Sequence, residues 1–596
     1  MSISISRKTP RYPVRSIAVT IQSISVTPLD PGEQWPCLRR RPERERAGRA
    51  RVHTRNGRAK SVPPLRRVRG CSLQTGKPGA PMHHPTHVAS TAVTHAAKLL
   101  QPGLTCWRVE RAARFAPIVD AAAYFAHLRR ALLQARHSVL FVGWEFDTRI
   151  KLDPDHPVEG LPEELGPFLS KLVGRRPSLS IRVLQWNLGV LGTLARGTTP
   201  LYLLNWMRAR RFQFRLDSAH PPGASHHQKI VVIDDVLAFC GGIDMTDDRW
   251  DTREHADADE RRVRPSGRAY APFHDITVAV DGAAAAALGD LARERWQRAT
   301  GERIMPPDRP DHDPWPETLV PCLRDVDVAI ARTEPAYHGR TGVREIEQLY
   351  LAGIAAARHT IYVESQYFAS RCIAQAMAAR LHEPDGPEIV VVNPDRAMGW
   401  LEETAMGRGR SRVLAHIRSA DRFGRFGIYR PVTAAGRPIY VHAKVLIVDD
   451  RLLRIGSSNL NNRSMGLDTE CDLAIEAVPE QADGAETARK AIISVRDALL
   501  GEHLNVPIND MARTLAQTGS LRATIEALRR DNGRTLVPLD EPAPGSAHPL
   551  SEGELLDPEQ PEPVWRAVLH ALADRRRRAY SRRHQTEPNS GAKEGR

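Results

Sequence analysis

The 596-residue sequence contains no apolar run of the roughly 18–20 residues that a membrane-spanning helix needs. The N-terminus is basic and lacks the apolar segment of a secretory signal. The seven cysteines are scattered, odd in number and without metal-ligand spacing, so neither a disulfide framework nor a cysteine-based zinc site is indicated. These features favour a protein that is cytoplasmic or peripheral at a membrane, and they do not exclude secretion.

The sequence also has little basic charge outside its two ends. The formal net charge is +15, of which residues 1–81 contribute +14 and residues 565–596 contribute +6. The body of the chain, residues 82–564, therefore carries a net charge of −5. Because nucleic-acid affinity depends on Lys and Arg side chains that neutralise phosphates, this balance disfavours a nucleic acid as the partner.

The two ends are predicted to lie outside the folded body. Residues 1–90 are rich in Arg and Pro and show little hydrophobic periodicity, which is typical of a disordered basic extension. Residues 511–596 are predicted to form a C-terminal extension, in which a Pro- and acid-rich connector leads to a basic tail.

The body repeats one order of predicted elements. Helical periodicity begins near Thr94, and a strand follows at Ser138–Phe146. Further elements lead to a strand at Asp275–Gly282 and a closing helix, and the second half has the same order up to a strand at Asp472–Val478 and its closing helix. This repeat of about 200 residues predicts an α/β fold with two similar lobes, residues 91–315 and 316–510, each a mixed β-sheet flanked by helices.

Each predicted lobe carries one copy of the pattern His-x-Lys-x-x-x-x-Asp. Alternation along a strand places the His and the Lys on one face, whereas the Asp lies at an odd offset and is interpreted as a turn or support residue. Only ten of the 85 Lys and Arg residues are lysines, yet both copies have a lysine at the same place, which argues against coincidence. The predicted catalytic set is His227, Lys229, Asp234, His442, Lys444 and Asp449.

These residue types suit the cleavage of a phosphodiester. One imidazole can attack phosphorus to form a phosphoryl-enzyme intermediate, and a second can protonate the leaving alcohol and then activate the incoming water or alcohol. The two lysines can hold the charge on the non-bridging oxygens. Gly-Gly or Gly-Ser after the second strand lets the backbone approach a phosphate closely, so Ser457 is counted among the phosphate-binding residues. Neither a metal ion nor another cofactor is predicted for this chemistry.

A histidine nucleophile also needs an acceptor for its other ring nitrogen. Asp275 precedes the strand ITVAVDG, and Glu470 precedes the strand DLAIEAV at the matching place in the second half. We therefore expect Asp275 to orient His227 and Glu470 to orient His442. The alternative is that each is a solvated acid in front of an edge strand.

The paired motifs resemble those of the phospholipase D superfamily. The segments GGIDMTDDRWDT, FHDI, IYVESQYF and NLNNRSM are similar to phospholipase D proper, and the likeness extends over residues 119–504. The resemblance implies that His227 is the nucleophile and His442 the general acid. It also implies that Asn459, with the two motif lysines, binds the phosphate. In the first motif Asp244 takes the place of Asn459, so phosphate binding is not carried over to Asp244.

The resemblance implies an enzyme that hydrolyses the head-group phosphodiester of a phospholipid at a membrane surface to give phosphatidic acid. The same phosphohistidine intermediate would allow transfer of the phosphatidyl group to another alcohol. The alternatives are a cardiolipin-synthase-like phosphatidyltransferase, a nuclease or DNA-end phosphodiesterase that uses the same histidines, and a non-catalytic binding relative.

Overall fold

The computed structural model describes residues 98–187, 205–206, 210–308, 312–398, 406–478, 482–539 and 557–558. The predicted N-terminal extension, the basic tail and nearly all of the Pro- and acid-rich connector lie outside the described residues. The described chain is an α/β protein in which a mixed sheet has helices on both faces.

Both halves of the chain contain alternating strands and helices. The first half consists of β1 (Arg108–Val119), α1 (Ala121–Leu132), β2 (Ser138–Gly143), α2 (Leu165–Arg175), β3 (Ser180–Trp186), β4 (Phe212–Asp217), β5 (Ile230–Ile233), β6 (Leu237–Gly241), β7 (Phe273–His274), β8 (Ile276–Asp281) and α3 (Gly282–Thr300). The second half consists of β9 (Leu323–Glu334), β10 (Val343–Arg344), α4 (Glu345–Ala356), β11 (Thr360–Glu364), α5 (Arg371–His382), β12 (Glu388–Val392), α6 (Arg408–Ala420), β13 (Phe426–Val432), β14 (Tyr440–Val441), β15 (Val445–Val448), β16 (Leu452–Gly456), α7 (Asn462–Gly466), β17 (Glu470–Glu476) and α8 (Ala482–Leu504). The elements α9 (Ile508–Thr518), α10 (Leu521–Leu528) and β18 (Thr535–Pro538) follow.

The strand order is the same in both halves. It runs β1-β8-β6-β5-β2-β3-β4 in the first half and β9-β17-β16-β15-β11-β12-β13 in the second. The pairs β2/β3, β3/β4, β11/β12 and β12/β13 are parallel, and the other pairs in these two series are antiparallel. Strands β1 and β9 pair with each other in antiparallel fashion and join the two series into one sheet.

One of the two joining strands, β1, differs from the sequence prediction. Residues 108–119 lie in the stretch where periodicity predicted helix, but they form the strand β1. Its first residues are partly exposed and its last five are buried, so no regular alternation marks it as a strand. The prediction of helix there was wrong because the neighbours of β1 in the sheet, β8 and β9, are distant in sequence.

The core is divided between the two faces of the sheet. Helices α3 and α8, one from each half, bury their apolar sides in a single cluster that includes Leu288 and Leu499. Separate clusters form on the other face, one under α1 and α2 and one under α4 and α5. The shared cluster buries apolar surface from both halves, so it stabilises their association.

The second lobe continues past the boundary predicted at residue 510. Strand β18 pairs antiparallel with β13, and Met511, Leu521, Ile525 and Leu536 are buried in the shared cluster. These residues are therefore part of the folded lobe and do not belong to an extension. No helix among the described residues is long and apolar enough to cross a membrane.

Candidate active site

The two motifs meet where the halves of the chain contact each other. The short strand β14, just ahead of His442, pairs in parallel with β7 of the first half, and the His442 N–H donates to the carbonyl of His274 at 2.8 Å. At the corresponding place the His227 N–H donates to the carbonyl of Thr469 at 2.9 Å. Each motif histidine is thus held by backbone of the opposite half.

Both imidazoles line one cavity of about 610 Å³. Part of its wall is aromatic, with the Trp144 and Trp186 rings stacked at 5.7 Å between centroids. Other lining residues are Tyr367, Met398, Met406, Asn459, Arg249, Arg264, Arg463, Glu145, Asp247, Asp248 and Asp468. The cavity therefore combines an apolar wall with charges of both signs around the two histidines.

Each histidine contacts a buried carboxylate through Nδ1, but the partners are exchanged relative to the sequence prediction. His227 Nδ1 lies 3.0 Å from Glu470 Oε2, and His442 Nδ1 lies 2.6 Å from Asp275 Oδ2. The predicted pairing within each half was wrong because strand pairing across the halves places residue 275 beside residue 442 and residue 470 beside residue 227. When Nδ1–H donates to the carboxylate, Nε2 is the ring nitrogen available for chemistry.

The small residues after β6 and β16 make room for carboxylates. A Cβ on Gly242 would lie 2.1 Å from Asp275 Oδ1, and a Cβ on Gly456 would lie 2.0 Å from Asp472 Oδ1. The sequence predicts that these small residues allow a phosphate to approach closely. In the structure Gly242 allows Asp275 to occupy the position from which it contacts His442.

Glu470 is held by two hydroxyl groups. Ser457 Oγ donates to Glu470 Oε2 at 2.6 Å, and Ser464 Oγ donates to Glu470 Oε1 at 2.7 Å. The Ser457 hydroxyl also accepts the N–H of Cys471 at 3.0 Å. Because these bonds occupy the hydroxyl, the structure does not support the predicted phosphate contact of Ser457, which instead supports the carboxylate. Ser464 was missed, although it lies in the segment NLNNRSM that resembles phospholipase D.

The motif lysines lie beside the histidines in non-equivalent surroundings. Lys229 Nζ donates to the carbonyl of His227 at 2.9 Å and lies 3.5 Å from Asp244 Oδ2. Lys444 Nζ donates to the carbonyl of His442 and, at 3.3 Å, to the neutral amide oxygen of Gln366. Asp244, the residue that departs from the second motif, thus contacts the lysine of its own half.

Asn459 lies on the cavity wall with an unused acceptor. Its backbone N–H donates to Ser464 Oγ at 3.1 Å, whereas its buried side-chain oxygen has no hydrogen-bond partner among the described residues. A buried polar atom without a partner costs free energy, so the Asn459 amide is suited to contact a ligand in the cavity.

The motif aspartates contact backbone away from the imidazoles. The carboxylate of Asp234 accepts the N–H groups of residues 136, 137 and 138 at 2.6–2.8 Å. The carboxylate of Asp449 accepts those of residues 358, 359 and 360 at 2.8–2.9 Å. Both residues have a positive φ, 54° and 53°, as the turn after each motif strand requires. Their contacts fasten the motif strand to its neighbour, so we assign them no part in the reaction.

Burial controls the charges in the site. It lowers the pKa of His227 and of His442 well below the usual value, and the nearby lysines act in the same direction. Burial raises the pKa of Glu470 to about 8, while the Ser457 and Ser464 hydroxyls oppose the rise. Burial and the nearby Lys229 lower the pKa of Lys444 to about 7. Both histidine shifts favour the neutral imidazole, and a pKa of about 7 leaves the Lys444 ammonium partly deprotonated at neutral pH.

The low pKa of Lys444 predicts how anion binding depends on pH. A dialkyl phosphate stays a monoanion from pH 5 to 9, so its inhibition constant should rise as the Lys444 ammonium loses its proton above about pH 7. In Lys444→Arg the cation stays charged, so the rise above about pH 7 should be smaller than in wild type, and the part that remains reports proton uptake by His442 on anion binding. The surface variant Lys490→Arg should follow the wild type. A wild-type inhibition constant that is flat across pH 7 would contradict the low pKa.

Comparison with known proteins finds a matching family profile and relatives in sequence. A family profile described as "Cardiolipin synthase, PLD-like domain" matches residues 350–489, which include the second motif. Phospholipase D alpha 4 of Arabidopsis thaliana is 24% identical over 61% of this chain and 62% of its own length. Phospholipase D A of Dictyostelium discoideum is 25% identical over 48% of this chain and 28% of its own length. The chain thus spans less than two thirds of these two relatives.

A solved structure, phosphatidylserine synthase of Haemophilus influenzae Rd KW20, is similar over 70% of this chain and 97% of its own, with a TM-score of 0.47 and 12% identity. The family profile, the sequence relatives and the paired motifs all point to similarity with the phospholipase D superfamily.

Proposed function

We propose that the protein is a phospholipase D-type phosphodiesterase that converts a phospholipid to phosphatidic acid and the free head-group alcohol. The observation that carries the proposal is the single cavity in which two imidazoles, one from each half, each contact a buried carboxylate through Nδ1. This arrangement supplies one nucleophile and one proton donor to the same phosphodiester.

In the first step His227 Nε2 attacks phosphorus, the P–O bond to the head group breaks, and His442 gives its Nε2 proton to the departing oxygen. A phosphate anion between the rings favours the imidazolium form of His442, which offsets the burial that lowers its pKa. In the second step His442 takes a proton from water, whose oxygen attacks phosphorus while the P–N bond to His227 breaks. An alcohol in place of water gives transphosphatidylation.

The cavity wall supports a lipid as the substrate. Trp144, Trp186, Met398 and Met406 offer apolar surface next to the histidines, as a substrate with acyl chains requires. The wall also carries several carboxylates, and the body of the chain is net negative, both of which disfavour a polyanion. The description of the matching family profile makes a phosphatidyltransferase the second candidate, since the same intermediate serves both reactions.

The test is a parallel assay of the full chain with phosphatidylcholine, phosphatidylglycerol and single-stranded DNA, each with and without ethanol. We expect phosphatidic acid from at least one lipid, phosphatidylethanol when ethanol is present, and no product in His442→Asn. Cleavage of the DNA without phosphatidic acid would replace the proposal with a nuclease. Cardiolipin formed from phosphatidylglycerol in excess over phosphatidic acid would favour the transferase.

A further inference from the structure

A second cluster of histidines and carboxylates lies beneath the active site, in the interior of the protein. It consists of Asp120 between β1 and α1, His255 in the loop before β7, His274 on β7, and Glu502 on α8. No more than 1% of any of these side chains is exposed. None of the four belongs to the reacting groups described above, and they come together from three distant parts of the chain.

The His-to-carboxylate distances in the cluster lie at or just below the ligand spacing of a tetrahedral metal site, and Asp120 offers a different oxygen to each histidine. His274 Nδ1 lies 2.9 Å from Glu502 Oε1 and 3.1 Å from Asp120 Oδ1, and His255 Nε2 lies 3.3 Å from Glu502 Oε1 and 3.5 Å from Asp120 Oδ2. One donor atom from each residue lies within 4.8 Å of all the others. Four ligands at zinc bond lengths of about 2.0–2.2 Å are separated by roughly 3.3–3.6 Å in a tetrahedron.

The outer nitrogen of each histidine is held by another carboxylate. His255 Nδ1 lies 2.9 Å from Asp251 Oδ2, and His274 Nε2 lies 2.9 Å from Glu364 Oε2. Such contacts fix the tautomer and direct the other ring nitrogen inward, as in the carboxylate–histidine–metal arrangement of known zinc sites.

Two of the inward-facing atoms have no hydrogen-bond partner. They are Asp120 Oδ2 and His274 Nδ1, both fully enclosed among the described residues. His274 Nδ1 is close to two carboxylate oxygens, but neither contact has the geometry of a hydrogen bond. A buried polar atom without a partner is costly, and one cation at the centre would contact all four donors at once.

We propose that Asp120, His255, His274 and Glu502 bind one divalent transition-metal ion, with Zn²⁺ as the best match to a set of two imidazoles and two carboxylates. Three ligands come from the first half and Glu502 from the second, so the ion would join the halves. His274 is next to His442 in two ways. The His274 carbonyl accepts the His442 N–H, and the following residue, Asp275, contacts the His442 ring. By holding His274 in place, the ion would fix the position of His442 without taking part in the phosphodiester reaction.

The experiment measures metal content in the full chain. Wild type is unfolded in a chelator and refolded with or without Zn²⁺, and bound metal is determined by mass spectrometry after gel filtration. We expect about one equivalent of Zn²⁺ and a melting temperature at least about 3 °C higher in the Zn²⁺ sample. Wild type that takes up less than about 0.1 equivalent and shows no shift in melting temperature would overturn the proposal.

Variants locate the ion and separate this proposal from the proposed function. Asp120→Asn and His255→Asn should bind less than about 0.1 equivalent, whereas His227→Asn, in the other site, should keep the full equivalent and lack activity. Retention of Zn²⁺ by both cluster variants would exclude this site. Should the variants not fold, X-ray absorption on the wild type decides, since two imidazoles and two oxygens at about 2.0–2.2 Å are required, and any sulfur ligand or six-coordinate shell contradicts the assignment.

Discussion

Replacing either His227 or His442 with asparagine is expected to lower kcat by at least about 10⁴-fold, because the two rings perform different steps on one phosphodiester and neither can substitute for the other. Both side chains line the same cavity, and each is held by its own carboxylate. Asparagine keeps a donor for that carboxylate, so the fold should persist. The measurement is kcat on the best lipid from the substrate panel, together with the melting temperature.

The matched control for these variants is His156→Asn. The His156 side chain is 70% exposed, and its Nδ1 lies 2.9 Å from Asp153 Oδ1 in the same loop, so the substitution should leave kcat within about twofold of wild type. If either active-site variant retained more than about 5% of wild-type kcat with a normal melting temperature, the two histidines would not have separate and necessary roles.

The second large expected loss of kcat follows from replacing the carboxylates that contact the two histidines. Asp275→Asn at neutral pH, and Glu470→Gln at pH 9, above the Glu470 pKa of about 8, are each expected to lower kcat by about 10²–10⁴-fold with little change in KM. The reason is that an amide can turn its NH2 toward the imidazole and then no longer accepts the Nδ1–H that sets the tautomer. A kinetic effect alone would not show which histidine each acid orients. The ¹⁵N resonances of selectively labelled histidines can show which histidine each acid orients. Asp275→Asn should change the tautomer of His442 and leave the tautomer of His227 unchanged.

The control for the acids is Asp450→Asn, which removes an exposed partner of Arg489 beside the second motif and should change neither kcat nor the histidine spectrum. If Asp275→Asn changed the His227 resonances and left those of His442 unchanged, each acid would orient the histidine of its own half. That is the pairing that sequence position alone suggested, and it would contradict the contacts across the halves.

The two motifs that meet in the candidate site could be recognised from the sequence because each motif is local. His227 and Lys229 lie two positions apart, as do His442 and Lys444, and the pattern occurs twice. The partners of the histidines could not be assigned in this way. Asp275 and Glu470 have equivalent places in the repeat, and only the pairing of β14 with β7 shows which motif each one contacts.

The cluster beneath the site gave no signal in the sequence for a related reason. Its four residues are separated by up to several hundred positions, at 120, 255, 274 and 502, with none of the short spacings by which metal motifs are recognised. The joining strands β1 and β9 could not be recognised from the sequence either, because their stability comes from partners far along the chain. Contacts of high sequence separation therefore account for most of what the sequence did not predict.

A phosphodiester bound between the two halves is expected to be cleaved through a covalent adduct on one of two non-equivalent histidines. The most direct test is rapid acid quench of the wild type during turnover of a phospholipid labelled in its phosphate, followed by peptide mapping. We predict label on the peptide that contains His227 and none on the peptide that contains His442. Label on His442 would reverse the two roles, and absence of label from both peptides, together with no exchange of the head-group alcohol, would contradict the covalent mechanism.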